Sequence, residues 1–272
     1  KIYYGIKTGL NKAFVIDAET RDGLIAEDPK SAEVIKPFLA GRDVKRYAPL
    51  EVDKFLILFE KGVSNQKGAG YRSKWAWVEN EYPAVAAYLK PFQKAAEKRC
   101  DKGDYWWELR ACDYYEEFEK PKIIYPNICK KPEFTYDEYN TYTNQKCFII
   151  PIPDKYLLGI LNARLNYFFF DMMLPKLRGG FYEPSYVIFK DFPIHPIDPS
   201  DPTDVARRDR MVTLVETMLD LNRKLAGART GQDKIFISRE IEATDARIDA
   251  LVYELYGLSG EEIALIERAV QS

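Results

Sequence analysis

Basic and aromatic side chains crowd one stretch of this chain, residues 104–153. Trp106, Trp107, Arg110, Lys120, Lys122, Lys130, Lys131, Tyr142 and Asn144 gather around the turns between its strand-like runs. Cations neutralise phosphates, aromatic faces stack on bases, and Arg or Asn can make paired hydrogen bonds to a base edge. That mixture suits a surface gripping nucleic acid. It equally suits an antiparallel sheet with a solvated, charged face, and composition alone favours this plainer reading.

Catalytic constellations are missing. There is no Pro-Pro pair, so the N/D/S-P-P-Y/F/W loop of amino-methyltransferases is not present. No strand leads through G-x-G into a helix, and there is no Walker motif and no G-x-S-x-G. Gly68-Ala69-Gly70 lies in a polar loop. No Glu-x-Lys occurs; only Asp28-Pro29-Lys30 and Asp43-Val44-Lys45 approach the metal-nuclease pattern. The single histidine, His195, sits between prolines and reads as structural. Cys100, Cys112, Cys129 and Cys147 are separated by 11, 16 and 17 residues, without a C-x-x-C pair. Zinc ligation is therefore not expected, and reduced thiols in a cytoplasmic protein are. These absences describe a binding or scaffold module rather than a self-sufficient enzyme.

Several elements must position the basic residues. Runs 121–128, 133–137 and 142–151 read as strands, rich in Ile, Tyr, Phe and Thr. Residues 2–17 read as strand, Gly-rich turn and strand, with Lys7, Thr8 and Asn11 at the turn. Ser31 can cap a short helix running to Leu39, and residues 54–60 form a buried strand. Residues 62–74 form a polar loop expected to be mobile or ordered by a ligand. Val85, Leu89, Phe92 and Ala96 mark one helix stripe, with Lys90, Lys94, Lys98 and Arg99 on its solvated side. Asp154 caps a buried helix carrying Leu157, Leu161, Leu165 and Phe168. Gly179-Gly180 lets a backbone come close to a partner, and residues 186–193 return to apolar alternation. After a Pro- and Asp-rich linker at 195–203, Met211–Leu225 and Ile241–Leu255 carry two helical stripes forming a hairpin. Gly257 is a C-terminal cap, and Ser259 with Glu262 forms a capping box.

With 272 residues, 46% of them hydrophobic, the chain can bury a real core. No apolar run approaches the roughly 20 residues of a membrane helix. The net charge of −2 is uneven: residues 198–272 hold 10 basic and 15 acidic residues, leaving +3 for residues 1–197. A polyanion would therefore meet the first part. Opening at Lys1 in strand-like sequence, the chain is expected to be a piece of a longer polypeptide.

The ordered segments 4–16 (YGIKTGLNKAFVI), 38–47 (FLAGRDVKRY), 120–126 (KPKIIYP), 147–150 (CFII), 157–162 (LLGILN) and 248–258 (IDALVYELYGL) resemble the TaqI-like C-terminal specificity domain. In that family a target-recognition domain follows an adenine-specific DNA methyltransferase domain, many of them in type II restriction–modification enzymes. The resemblance implies an α+β fold, with a mixed or antiparallel sheet, packed helices and a C-terminal helical hairpin. Residues 1–197 would recognise DNA and 198–272 form an appendage. It implies duplex DNA and an N-terminal methyltransferase domain as partners. S-adenosylmethionine, and Mg²⁺ if a nuclease is fused, would belong to the parent. Loops vary within the family, so DNA-facing residues rest on chemistry: Lys7, Thr8, Asn11, Arg42, Lys45, Arg46, Lys67, Arg72, Trp107, Arg110, Lys130, Lys131, Asn144, Arg178 and Tyr182. Two other classes stay open: a scaffold docking through the helical stripes, and a metal nuclease using Asp28 or Asp43.

Overall fold

The computed structural model describes residues 1–270. One four-stranded sheet contains β1 (Tyr3–Tyr4), β5 (Lys122–Pro126), β6 (Thr135–Asp137) and β8 (Cys147–Ile150) in the order β1-β8-β5-β6, antiparallel throughout. The other, ordered β2-β4-β3-β7, contains β2 (Val15–Asp17), β3 (Ile35–Leu39), β4 (Lys54–Ile57) and β7 (Tyr142–Thr143). Its β3–β7 pair is parallel, so the sheet is mixed. A small ribbon pairs β9 (Lys176–Leu177) with β10 (Phe181–Tyr182).

The β5–β8 pair divides the hydrophobic core. Side chains alternate across a strand, and here both faces are covered. Ile124 and Ile149 are register partners and enter a core with Phe14, Leu56, Val85 and Trp107. Ile123 and Ile150, and Tyr125 and Phe148, are partners facing a second core with Leu158, Phe170, Met211 and Ile248. All residues of β5 and β8 are buried. The central strands therefore have no solvated face. Lys122 is fully buried rather than part of a basic turn, its Nζ 2.5 Å from Asp137 Oδ2.

Helices α1 (Asn11–Phe14) and α2 (Ala18–Glu27) flank β2. After β4 come α3 (Val63–Lys67), α4 (Lys74–Glu81), α5 (Pro83–Leu89) and α6 (Gln93–Glu97), and α7 (Tyr115–Phe118) precedes β5. On the other side lie α8 (Lys155–Asn162), α9 (Arg164–Met173), α10 (Tyr186–Phe189), α11 (Pro202–Gly227), α12 (Gly231–Leu255) and α13 (Gly260–Val270). Asp154 caps α8 through the Tyr156 and Leu157 N–H groups. Ser259 and Glu262 form the reciprocal box opening α13, and Gly257 has φ +62°. The stripes of α11 and α12 are largely consumed within the chain: Met211, Leu214, Val215 and Met218 share the second core with Ile248, Leu251 and Val252, whereas Leu221 and Leu225 are half-buried outside it.

Several segments differ from the sequence expectation. Residues 35–39 form β3 rather than a helix, because Pro37 disfavours the helical conformation at Lys36 and the strand finds partners on both edges. Residues 142–151 split between the two sheets as β7 and β8. Part of the second strand expected in residues 2–17 is α1, and residues 186–189 are helical. The supposed loop 62–74 contains α3. Its start is fixed by buried Glu108, which accepts hydrogen bonds from the N–H groups of Gly62 and Ser64 at 3.1 Å each.

Arg99, expected on a solvated helix face, is instead buried. Its guanidinium donates to the carbonyls of Ala96, Thr8, Trp106 and Glu108, and burial lowers its pKa to about 10. The fold is α+β with a C-terminal helical hairpin. Among the described residues, no helix is long and apolar enough to cross a membrane.

Candidate nucleic-acid interface

The corner at Asn144, where the chain leaves β7 and enters β8, gathers four segments. Asn144 Oδ1 accepts from the Lys146 N–H at 2.9 Å, closing a tight turn. The Gly5 N–H donates to the Cys147 carbonyl and the Asn127 N–H to the Lys146 carbonyl. Gly41 packs so closely that a Cβ there would lie 2.3 Å from the Lys146 carbonyl oxygen. The turns carrying Lys7, Arg42, Lys130 and Lys131 are thus anchored around one corner.

A cleft of about 600 Å³ opens beside it, lined by Tyr4, Lys7, Arg110, Tyr114, Gln145 and Lys146 among others. Asp101 lies between two of its cations, 3.0 Å from Lys7 and 3.5 Å from Arg110. Tyr4, Tyr114 and Tyr115 give the cleft aromatic walls, and its cations Lys7, Arg110 and Lys146 are partly offset by Asp101 and Asp113. Further along, Lys130 stands 5.2 Å over the Phe181 ring, and the antiparallel bridge between Cys129 and Tyr182 joins its turn to the β9–β10 ribbon carrying Arg178. Lys7, Arg42, Lys130, Lys131 and Arg178 are all exposed.

Other candidates are committed inside the protein. Trp107 is buried, donating from Nε1 to Ser64 Oγ at 2.9 Å and stacking on Tyr105. Thr8 is buried, and its hydroxyl donates to Asn11 Oδ1. Arg46 binds both carboxylate oxygens of Asp245 and the Asn162 carbonyl, tying the first part of the chain to α12. Tyr182 is buried, with its hydroxyl on Asp171 at 2.7 Å. The reason is common to all four: each polar atom finds an internal partner that repays its burial. Asn144 spends its side-chain oxygen on its own turn. Lys45 is exposed and pairs with Glu133 at 3.3 Å, a surface ion pair like that of Lys7 with Asp101.

Lys67 and Arg72 are exposed on and after α3. Lys67 lines a different cleft, alongside Glu33, Glu60 and Glu119. Sequence reasoning missed Lys146 and Gln145, although they complete the same Asn-Gln-Lys turn. Asp28 and Asp43 act as caps, accepting from the N–H groups of Lys30 and Ala40 respectively. Among the described residues, no group of three or more His, Cys, Asp or Glu side chains converges on a possible metal site.

The α+β fold and a family profile together define a target-specificity module. The profile of the TaqI-like C-terminal specificity domain matches residues 36–194. This chain belongs to that family, and its function is DNA target recognition. The type II methyltransferase M.BanIII of Aneurinibacillus aneurinilyticus is 26% identical over 171 residues, covering 59% of this chain and 28% of that protein. The type IIL restriction-modification enzyme MmeI, solved in complex with DNA, superposes with a TM-score of 0.66 at 13% identity. That match covers 100% of this chain and 35% of the MmeI chain, and it is a likeness of fold. The type IIG restriction endonuclease BpuSI gives 0.47 at 12% identity, over 93% of this chain and 30% of its own.

Proposed function

We propose that the surface around the 144–146 turn holds duplex DNA and reads base edges beside a target adenine. The carrying observation is the convergence of the Lys7, Arg42, Lys130 and Lys146 segments on one corner. Lys7, Lys130, Lys131 and Lys146 have the chemistry of phosphate holders; Arg42, Arg110 and Arg178 can make paired contacts to guanine. In this reading Trp107, Arg46, Thr8 and Tyr182 support the surface from within.

The parent is an adenine-specific DNA methyltransferase of a type II restriction–modification system. Its N-terminal domain would bind S-adenosylmethionine, flip the adenine and transfer the methyl group. If the parent also carries a nuclease, Mg²⁺ belongs there. The match to a type II methyltransferase over 28% of that protein supports this division of labour. Residues 1–197 form the recognition part, and 198–272 form an appendage that shares its core. Four free cysteines fit a cytoplasmic location.

The test is binding of this chain to mixed-sequence duplexes at low salt, repeated as salt is raised. Binding should weaken steeply. Replacing Lys7, Lys130 and Lys146 together by Ala should reduce the slope of log affinity against log salt by about 3, roughly one per phosphate contact. An unchanged slope would remove this surface from the interface.

A further inference from the structure

The β9–β10 ribbon is held firmly at its base and left free at its tip. Tyr182 exchanges two backbone hydrogen bonds with Cys129, at 3.1 and 2.7 Å. Asp171 accepts from the Tyr182 hydroxyl at 2.7 Å and pairs with Lys176 at 2.7 Å. Lys130 covers the Phe181 ring. Beyond these contacts Arg178, Gly179 and Gly180 are all exposed.

Both glycines have positive φ, +88° and +74°, which L side chains rarely adopt. A Cβ on Gly180 would meet nothing within 4 Å. This glycine therefore does not make room for another part of the protein. It shapes an exposed turn that carries Arg178; the Phe181 ring lies 3.4 Å from where a Gly179 Cβ would stand, and the Gly180 side is open to close approach.

A two-stranded ribbon fits the major groove, which is about 12 Å wide, and an arginine there can donate two hydrogen bonds to guanine O6 and N7. We infer that β9–β10 enters the major groove and that Arg178 determines specificity by reading a guanine, while Lys130 and Lys131 hold flanking phosphates. This rests on the DNA-recognition reading above.

The experiment selects preferred duplexes from a randomised pool with the wild-type chain, then measures them against unselected DNA. Arg178→Ala and Arg178→Lys should each lose about tenfold or more of the preference for guanine at one position. Their affinity for unselected duplex should stay within about threefold. Replacing that guanine by 7-deazaguanine, which lacks the N7 acceptor, should weaken the wild type and leave Arg178→Ala unaffected. Lys130→Ala with Lys131→Ala should weaken all duplexes alike and preserve the preference. If wild type and Arg178→Ala select the same sequences, or 7-deazaguanine has no effect at every selected guanine, the inference fails while DNA binding stands. If the wild type binds no duplex at low salt, the underlying reading fails, and the inference with it.

Discussion

Gly5 and Asn144 meet backbone to backbone: a Cβ on Gly5 would lie 2.0 Å from the Asn144 carbonyl oxygen. The neighbouring Ile6 N–H donates to the Thr143 carbonyl, so the strand end and the β7–β8 corner are fastened at two levels. Backbone on the receiving side cannot swing aside as a flexible side chain would. Gly5→Ala should cost about 1–3 kcal/mol through this overlap. Urea denaturation should give a lower midpoint with little change in slope. An unchanged midpoint would show that the corner yields without cost.

Lys122 and Asp137 form a fully buried ion pair, and Asp137 also accepts from the N–H groups of Tyr139 and Thr141. Burial lowers the Lys122 pKa despite the carboxylate beside it. Lys122→Met leaves a buried carboxylate without its cation. The expected loss is about 3–5 kcal/mol, read from equilibrium unfolding. A loss below about 1 kcal/mol would mean that the two backbone N–H groups and the Thr141 hydroxyl suffice to hold Asp137.

Asp249 supplies a pH-dependent prediction. Its carboxyl is buried behind Arg164, and burial pushes its pKa up to about 6. Between the unfolded value, near 4, and 6 the folded state binds more protons. The contribution of Asp249 is thus fully present below about pH 4 and lost as pH rises through 6. Asp249→Asn cannot ionise. Its stability relative to wild type should improve by about 2–3 kcal/mol between pH 4 and pH 7. Paired denaturation series at the two pH values test this; a constant difference would place Asp249 at an ordinary pKa.

The chain's centre was legible because Ile123, Ile124, Ile149 and Ile150 fall in dense β-forming runs. Their burial follows from pattern alone. The second covering layer was less visible, since nothing local in residues 121–128 reveals that helices from residues 155–270 pack on the far face. That is also why Lys122 read as a turn cation. The stripes of α11 and α12 announced two paired helices, whereas the docking of α11 onto α8 depends on a long-range contact: a Cβ on Gly159 would meet the Met211 sulfur at 2.5 Å. Among the site residues, residue type could suggest chemistry and could not reveal commitment. Arg46 and Arg42 lie four residues apart and look alike in sequence, yet one is bound by Asp245 and the other is exposed.

That contrast gives a direct comparison. Arg46→Ala removes the bidentate contact to Asp245 and two hydrogen bonds to the Asn162 carbonyl. It should destabilise the chain by about 2 kcal/mol or more and leave the salt dependence of duplex binding unchanged when measured under conditions where the variant remains folded. Arg42→Ala, at an exposed position, should shift stability by no more than about 0.5 kcal/mol and weaken duplex binding. The reverse pattern would assign DNA contact to Arg46 and require α12 to release it.

Lys146 is the sharpest test of the corner itself. Its backbone carbonyl receives the Asn127 N–H and abuts Gly41, while its exposed side chain lines the cleft with Lys7 and Arg110. Lys146→Ala retains all those backbone contacts, so folding should be preserved. A lost phosphate contact would reduce the salt slope by about 1 and weaken all duplexes alike. Lys67→Ala is the matched control, an exposed lysine in a cleft where Glu33, Glu60 and Glu119 outnumber the other cation, Lys36, and so disfavour a phosphate. Equal effects of the two substitutions would mean that general charge, rather than the β7–β8 corner, governs DNA affinity. An effect confined to Lys146 fixes the duplex to the face where β7, β8 and the Gly5 strand end meet.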